Sequence, residues 1–165
     1  MIVFRPYFRR LVCLGLVFMA AASASCGSKS VLEKAEEEYA AGNYREALYI
    51  VRHHFRRGGE RSPELLFLAG KSYMRLGIEA EASDSFAEIF ISDSTWAPKI
   101  AEVLKAEALE SLDKGLSGKG SRFILQAVNY GHNLDFGRYN GLAGDLMLDR
   151  KDYHGAIQYY SIYIE

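Results

Sequence analysis

The chain has 165 residues, of which 49% are hydrophobic and 25% are charged. It is long enough for one core and too short for two substantial domains, and its composition excludes a disordered chain. The formal net charge is −1, and the first 25 residues hold three arginines and no acid. The remainder is therefore acidic, so charge gives no reason to expect nucleic-acid binding.

The N-terminus has the three zones of a secretory signal. Three arginines lie within residues 5–10, an apolar run covers residues 11–22, and the small residues 23–25 precede Cys26. This order predicts a signal peptide over residues 1–25. The apolar run is shorter than the roughly 20 residues that a helix needs to cross a bilayer, so a permanent membrane span is the weaker interpretation.

Cys26 lies where a bacterial lipoprotein carries its acylated cysteine, and residues 26–30 form a short polar tether. The segment resembles a lipobox, except that Ser23 stands where leucine is usual, and ordinary cleavage after Ala24 is the alternative. We expect lipidation of Cys26 to anchor the mature chain to the outer membrane of the bacterial cell envelope, facing the periplasm. Cys13 would leave with the signal, so no second cysteine remains for a disulfide.

One turn followed by one helix start recurs along the chain. Residues 42–48 and 151–157 are two copies, and residues 77–82 are a third. About 35 residues separate the first two glycines of this pattern, an interval typical of helical repeats. Within residues 69–86, Ala69-Gly70-x2-Tyr73 and Ala82-x3-Phe86 resemble the tetratricopeptide pattern Leu-Gly-x2-Tyr followed by Ala-x3-Phe.

The tetratricopeptide resemblance implies an all-α fold, a right-handed superhelical solenoid of stacked antiparallel helix pairs over residues 31–165. We place four repeats at about 28–61, 62–95, 96–133 and 134–165. Small residues should let the helices approach closely, at Ala35, Gly70, Ala106 and Gly144 in the first helices and at Ala47, Ala82, Ala127 and Ala156 in the second.

Two local features bear on the helix boundaries. Ser62-Pro63 predicts an N-cap followed by proline in the first turn, and residues 95–98 predict a similar helix start. The glycine-rich residues 114–120 are interpreted as a flexible connection within the third repeat, which would absorb the extra length there.

The sequence offers little for chemistry. His53 and His54 are adjacent, so on a helix they point about 100° apart and cannot easily share a metal ion, and His132 and His154 stand alone. Residues 115–120 lack the glycine order of a phosphate-binding loop, and no serine motif of a nucleophile is present. We therefore predict no catalytic residues, no metal and no cofactor.

The resemblance implies that the first helices line a concave groove that binds a partner segment. We expect a non-enzymatic protein–protein interaction scaffold for envelope proteins, of the type that helps assemble the outer membrane. The alternative is a transport or ligand-carrier accessory protein of the periplasm, in which Tyr159, Tyr160 and Tyr163 line a pocket. Matched to the family's groove positions are Leu32, Glu36, Tyr39, Phe67, Lys71, Met74, Arg75, Asp145, Leu148 and Asp149.

Three further expectations concern surfaces. Lys71 and Arg75 should be exposed and contribute little to stability. The basic stretch 52–61 is interpreted as a solvated helix end, with contact to anionic headgroups or an acidic partner as the alternative. The last segment, 152–165, remains apolar to its end, which predicts either a longer parent chain or self-association through the C-terminal helix.

Overall fold

The computed structural model describes residues 29–131 and 134–164, and this part of the chain contains eight α-helices and no strand. The all-α prediction is confirmed there. The predicted signal peptide, Cys26 and His132 lie outside the described residues. In chain order the helices are α1 (Val31–Ala40), α2 (Tyr44–Arg56), α3 (Pro63–Arg75), α4 (Glu79–Ser92), α5 (Ala97–Asp113), α6 (Ser117–Tyr130), α7 (Asn140–Asp149) and α8 (Tyr153–Ile164), with 3₁₀ turns at Ser94–Trp96 and Gly137–Tyr139.

Across residues 29–131 and 134–164, no helix combines the length and apolar character needed to span a membrane.

The helices pack as four neighbouring pairs, and one type of turn joins the two members of every pair. Each turn has three residues, and its central residue has a positive φ: 81° at Gly42, 75° at Gly77 and Gly115, and 63° at Lys151. The N–H of the third turn residue donates to the carbonyl five residues back, at 2.9 Å in all four. This bond satisfies a carbonyl at the end of the first helix and turns the chain back along it.

Counted from the turn centre, the same two positions are small and buried in every pair. Seven residues before the centre lie Ala35, Gly70, Ala108 and Gly144, and five residues after it lie Ala47, Ala82, Gly120 and Ala156.

The structure corrects two of the predicted small positions, both in the third pair. Ala106 is exposed, and Ala108 takes its place. Ala127 is buried, but Gly120 is the residue at the shared position of α6. The close approach itself is real, because a Cβ added at Gly70 would lie 2.6 Å from the ring of Phe86.

Residues 114–120 are not the predicted flexible connection. The turn covers only residues 114–116, and α6 begins at Ser117, so Gly120 lies in its first turn against Leu112 of α5. Part of the extra length lies instead in α5, which has 17 residues where α3 has 13.

Side-chain caps fix two helix starts. Ser30 caps α1: its hydroxyl accepts from the N–H of Glu33, whose carboxylate accepts from the N–H of Ser30. The N-cap predicted at Ser62 is confirmed, with Pro63 in the first turn of α3. At residues 95–98, Pro98 lies in the first turn of α5 as predicted, but a 3₁₀ turn precedes the helix and Asp93 accepts from the N–H of Thr95.

The core has two parts that share side chains. The first part lies among α1, α2 and α3, and the second extends from α3 to α8. Phe55 and Tyr73 pack against both parts, so the four pairs form one continuous body. Its largest fully buried side chains are Phe86, Phe123 and Phe136.

Candidate functional site: the face formed by α1, α3 and α5

The first helices of the first three pairs meet on one face, which we call the α1–α3–α5 face. Here α1 and α3 lie close together along their backbones, whereas α3 and α5 are bridged mainly by long side chains. A cavity of about 140 Å³ lies between them. It is lined by Tyr39 of α1, by Lys71, Met74 and Arg75 of α3, and by Val103, Ala106 and Glu107 of α5.

Arg75 ties the second pair to the third at the edge of this cavity. Its Nη1 lies 2.7 Å from Glu110 and 3.3 Å from Glu107, and the Glu107 residue is only 7% exposed. Lys119 of α6 lies 2.8 Å from the other Glu107 oxygen. The buried carboxylate is thus held between two cations from two helices, so this part of the face is already neutralised.

The pKa of Glu110 reflects the same pairing with cations. Hydrogen bonds from Lys114 and then from Arg75 lower the pKa of Glu110 to about 2. The hydrogen bond to Glu110 in turn raises the pKa of Arg75. Both groups stay charged throughout the physiological range.

Lys71 and Lys99, in contrast, lie against aromatic rings. The Nζ of Lys71 lies 4.5 Å from the Tyr39 ring centroid, and that of Lys99 lies 4.2 Å from the Trp96 ring centroid. Both flank the ring of Phe67, at 5.3 Å and 4.9 Å. Ring faces attract cations but leave the positive charge uncompensated. Among residues 29–131 and 134–164, neither lysine has a carboxylate oxygen within 4 Å.

The pKa of Lys71 reflects this setting. Burial lowers it most, the charge of Lys99 lowers it further, and Glu36 acts in the opposite direction. The ammonium groups of the half-buried Lys71 and the exposed Lys99 repel each other, so both would gain from an added anion.

The structure brings together four of the predicted groove residues: Tyr39, Lys71, Met74 and Arg75. Glu36 is exposed beside them. Leu32 packs on the first part of the core, and both Phe67 and Met74 are themselves buried.

The expectation of exposure is confirmed for Arg75 and wrong for Lys71, and neither side chain is free of contacts. Lys71 is half-buried between aromatic rings, and Arg75 is bound to two glutamates. Reversing the charge of Arg75 would set it against Glu107 and Glu110, so we expect that change to destabilise the fold.

The predicted residues of the fourth pair lie apart from the cavity. Asp145, Leu148 and Asp149 are exposed on α7, and Asp145 accepts a hydrogen bond from the Tyr160 hydroxyl at 2.6 Å. None of the three belongs to the lining of the cavity.

The third pair contributes four residues that the sequence did not predict for the groove: Lys99, Val103, Ala106 and Glu107. The sequence does contain a signal for the register of this pair. The interval from Gly115 to Gly120 equals those from Gly42 to Ala47 and from Gly77 to Ala82, and it sets the register of this pair.

The three tyrosines of the predicted carrier pocket differ in their exposure. Tyr159 is buried against the ring of Phe136 at 5.8 Å, and burial raises the pKa of Tyr159 to about 12. Tyr160 is partly exposed and donates its hydroxyl to Asp145, and Tyr163 is exposed. Over residues 29–131 and 134–164 there is no group of three or more His, Cys, Asp or Glu side chains placed to hold a metal ion.

No family model matches the chain, and no curated protein does either.

Proposed function

We propose that the chain is a non-enzymatic interaction scaffold of the bacterial envelope, whose α1–α3–α5 face binds a segment of a protein partner. A solenoid of the tetratricopeptide type and an acylated Cys26 belong to this proposal. The observation that carries it is the pair Lys71 and Lys99, two cations over aromatic rings with no carboxylate oxygen of the described residues within 4 Å. This pair stands beside a cavity to which three helices contribute.

The chemistry of the face indicates the kind of segment. An acidic side chain would neutralise Lys71 and Lys99, and flanking apolar side chains would cover the partly exposed rings of Tyr39 and Trp96. Such a segment gains electrostatic attraction and apolar burial together. Arg75 does not take part, because Glu107 and Glu110 already occupy it.

The test places a photo-reactive amino acid at Ala106, which is exposed and lines the cavity. We expect it to cross-link acidic segments of envelope proteins, and the double variant K71Q/K99Q to reduce the yield about tenfold or more. The same probe at Ala80, an exposed position on α4, gives the background.

The matched control variant is K29Q/K34Q, which removes two exposed lysines elsewhere. Circular dichroism checks that all variants keep their helicity. Equal yields from Ala106 and Ala80, or an equal loss in both double variants, would remove the proposed binding face.

A further inference from the structure

The outward face of α2 carries a row of cations around one exposed aromatic ring. Arg45, Tyr49, Arg52 and Arg56 follow one another at intervals of four, three and four residues, so they lie on one side of the helix. All four are exposed, and Tyr49 is 53% exposed. The row is about 16 Å long at 1.5 Å per residue.

Two clefts border this row. One, of about 360 Å³, is lined by the three arginines of the row and also by Leu48, Tyr49, Leu76 and Ile78. The other, of about 430 Å³, is lined by Val31, Lys34, Tyr49, Ile50, His53, His54, Arg57 and Gly59. Because Tyr49 lines both, its ring stands between two clefts that each combine cations with apolar walls.

The charge of this face is not compensated within the described residues. Arg61, Arg122 and Arg138 each lie within 4 Å of a carboxylate elsewhere on the molecule. In contrast, over residues 29–131 and 134–164, no carboxylate lies within 4 Å of Arg45, Arg52, Arg56, Arg57 or Lys34. Apart from Arg150, the described arginines on other surfaces are thus paired, whereas a whole row of unpaired arginines lies on α2.

We infer that the outward face of α2 binds the anionic headgroups of a phospholipid surface. Guanidinium groups match phosphate oxygens in geometry, and a row of them spreads over several headgroups rather than one ion. Tyr49 and Ile78 are exposed where an amphipathic ring and an apolar side chain would meet the interface. This contact is separate from the proposed partner face and does not depend on acylation of Cys26.

The competing occupant is an acidic protein segment. An exposed aromatic ring at the centre of the row favours the membrane, because tyrosine is enriched at the depth of the headgroups. A bound segment would instead have to pass over Tyr49, which separates the two clefts.

The test uses the whole chain carrying Cys26→Ser, with vesicles of phosphatidylcholine alone or mixed with phosphatidylglycerol. We expect binding to the anionic vesicles that weakens with salt. The variant R45Q/R52Q/R56Q should lower this affinity on the order of a hundredfold, since each cation near an anionic surface contributes about fivefold. The variant Y49S, which leaves the charge unchanged, should lower it less.

The control variant R61Q/R122Q/R138Q makes the same change in net charge on other surfaces and should keep most of the affinity. Both triple variants keep Arg5, Arg9 and Arg10, so any contribution of these N-terminal arginines to vesicle binding is the same in the two. Equal losses in the two triple variants would overturn the proposal, as would binding of poly-glutamate through the α2 arginines without binding of anionic vesicles.

Discussion

Lys151 occupies a backbone conformation that suits glycine. It is the turn centre of the fourth pair, with a φ of 63°, where the other three pairs have glycine. A side chain in the left-handed region costs roughly 1–2 kcal/mol, which the greater backbone freedom of unfolded glycine partly offsets. We predict that Lys151→Gly raises the free energy of unfolding by up to about 1 kcal/mol, measured by urea denaturation.

The reciprocal change, Gly77→Lys, supplies the control. A Cβ at Gly77 would meet no atom within 4 Å, so its cost comes from the backbone alone. It should lower the free energy of unfolding by roughly 1–2 kcal/mol. A destabilised Lys151→Gly would show that the lysine side chain makes contacts that matter more than its backbone strain.

The structural role of a single residue was predictable where it depends on neighbours in the sequence. It was not predictable where it depends on residues far away along the chain. The cap at Ser62 depends on its immediate neighbours, and the sequence predicts it. The different roles of Lys71 and Arg75 depend on Glu107 and Glu110, which lie on the next helix pair. No local pattern distinguishes two cations that sit one helical turn apart.

At the scale of an element, the start of α6 has a direct test. Gly118 and Gly120 both lie in its first turn, but a Cβ at Gly120 would lie 2.4 Å from Cγ of Leu112, whereas one at Gly118 has open space apart from Arg122 at 4.0 Å. We predict that Gly118→Ala stabilises the protein by up to about 1 kcal/mol through helix propensity.

Gly120→Ala should have the opposite sign. The added methyl group must displace Leu112 and approach the carbonyl of Ala108 to 3.2 Å, and overpacking of this kind costs about 1–3 kcal/mol. Thermal unfolding followed by circular dichroism compares the two variants. If residues 117–120 were a flexible connection, both substitutions would leave the midpoint nearly unchanged.

The same segment shows why the third pair was misread. Composition treats the glycines of residues 115–120 alike, as signals of a loop. Only Gly115 adopts a positive φ, while Gly120 is small because α5 packs against it. Position within the repeat, not glycine content, separates these two roles.

For the whole molecule, the helix pairs follow from the sequence and their mutual contacts do not. Recurring turns and buried small residues determine each pair locally. The ties between pairs, such as Arg122 to Glu79 and Arg138 to Asp113, join residues that no repeated motif relates. The α1–α3–α5 face depends on another tie of this kind, from Arg75 to Glu107 and Glu110, which is why only part of the face was predictable.

The outer side of α8 leads to a prediction about association between whole molecules. Tyr153, Ile157 and Ile164 lie at intervals of four and seven residues, so they share one side of the helix. Ile157 is 66% exposed and Ile164 is 82% exposed. An exposed apolar side of this kind favours association, and a second copy offers the same surface. We therefore expect the chain carrying Cys26→Ser to self-associate as its concentration rises.

The variant I157K/I164K should weaken this association about tenfold or more, because each lysine would bring a charge into the buried contact. The control I91K/L116K adds the same charge at exposed apolar positions on α4 and in the turn before α6, where Ile91 is 85% exposed. Light scattering and sedimentation equilibrium measure the dissociation constants. If the control dissociates the protein equally, net charge rather than α8 governs association. If the parent stays monomeric at every concentration, the apolar side of α8 does not pair with itself.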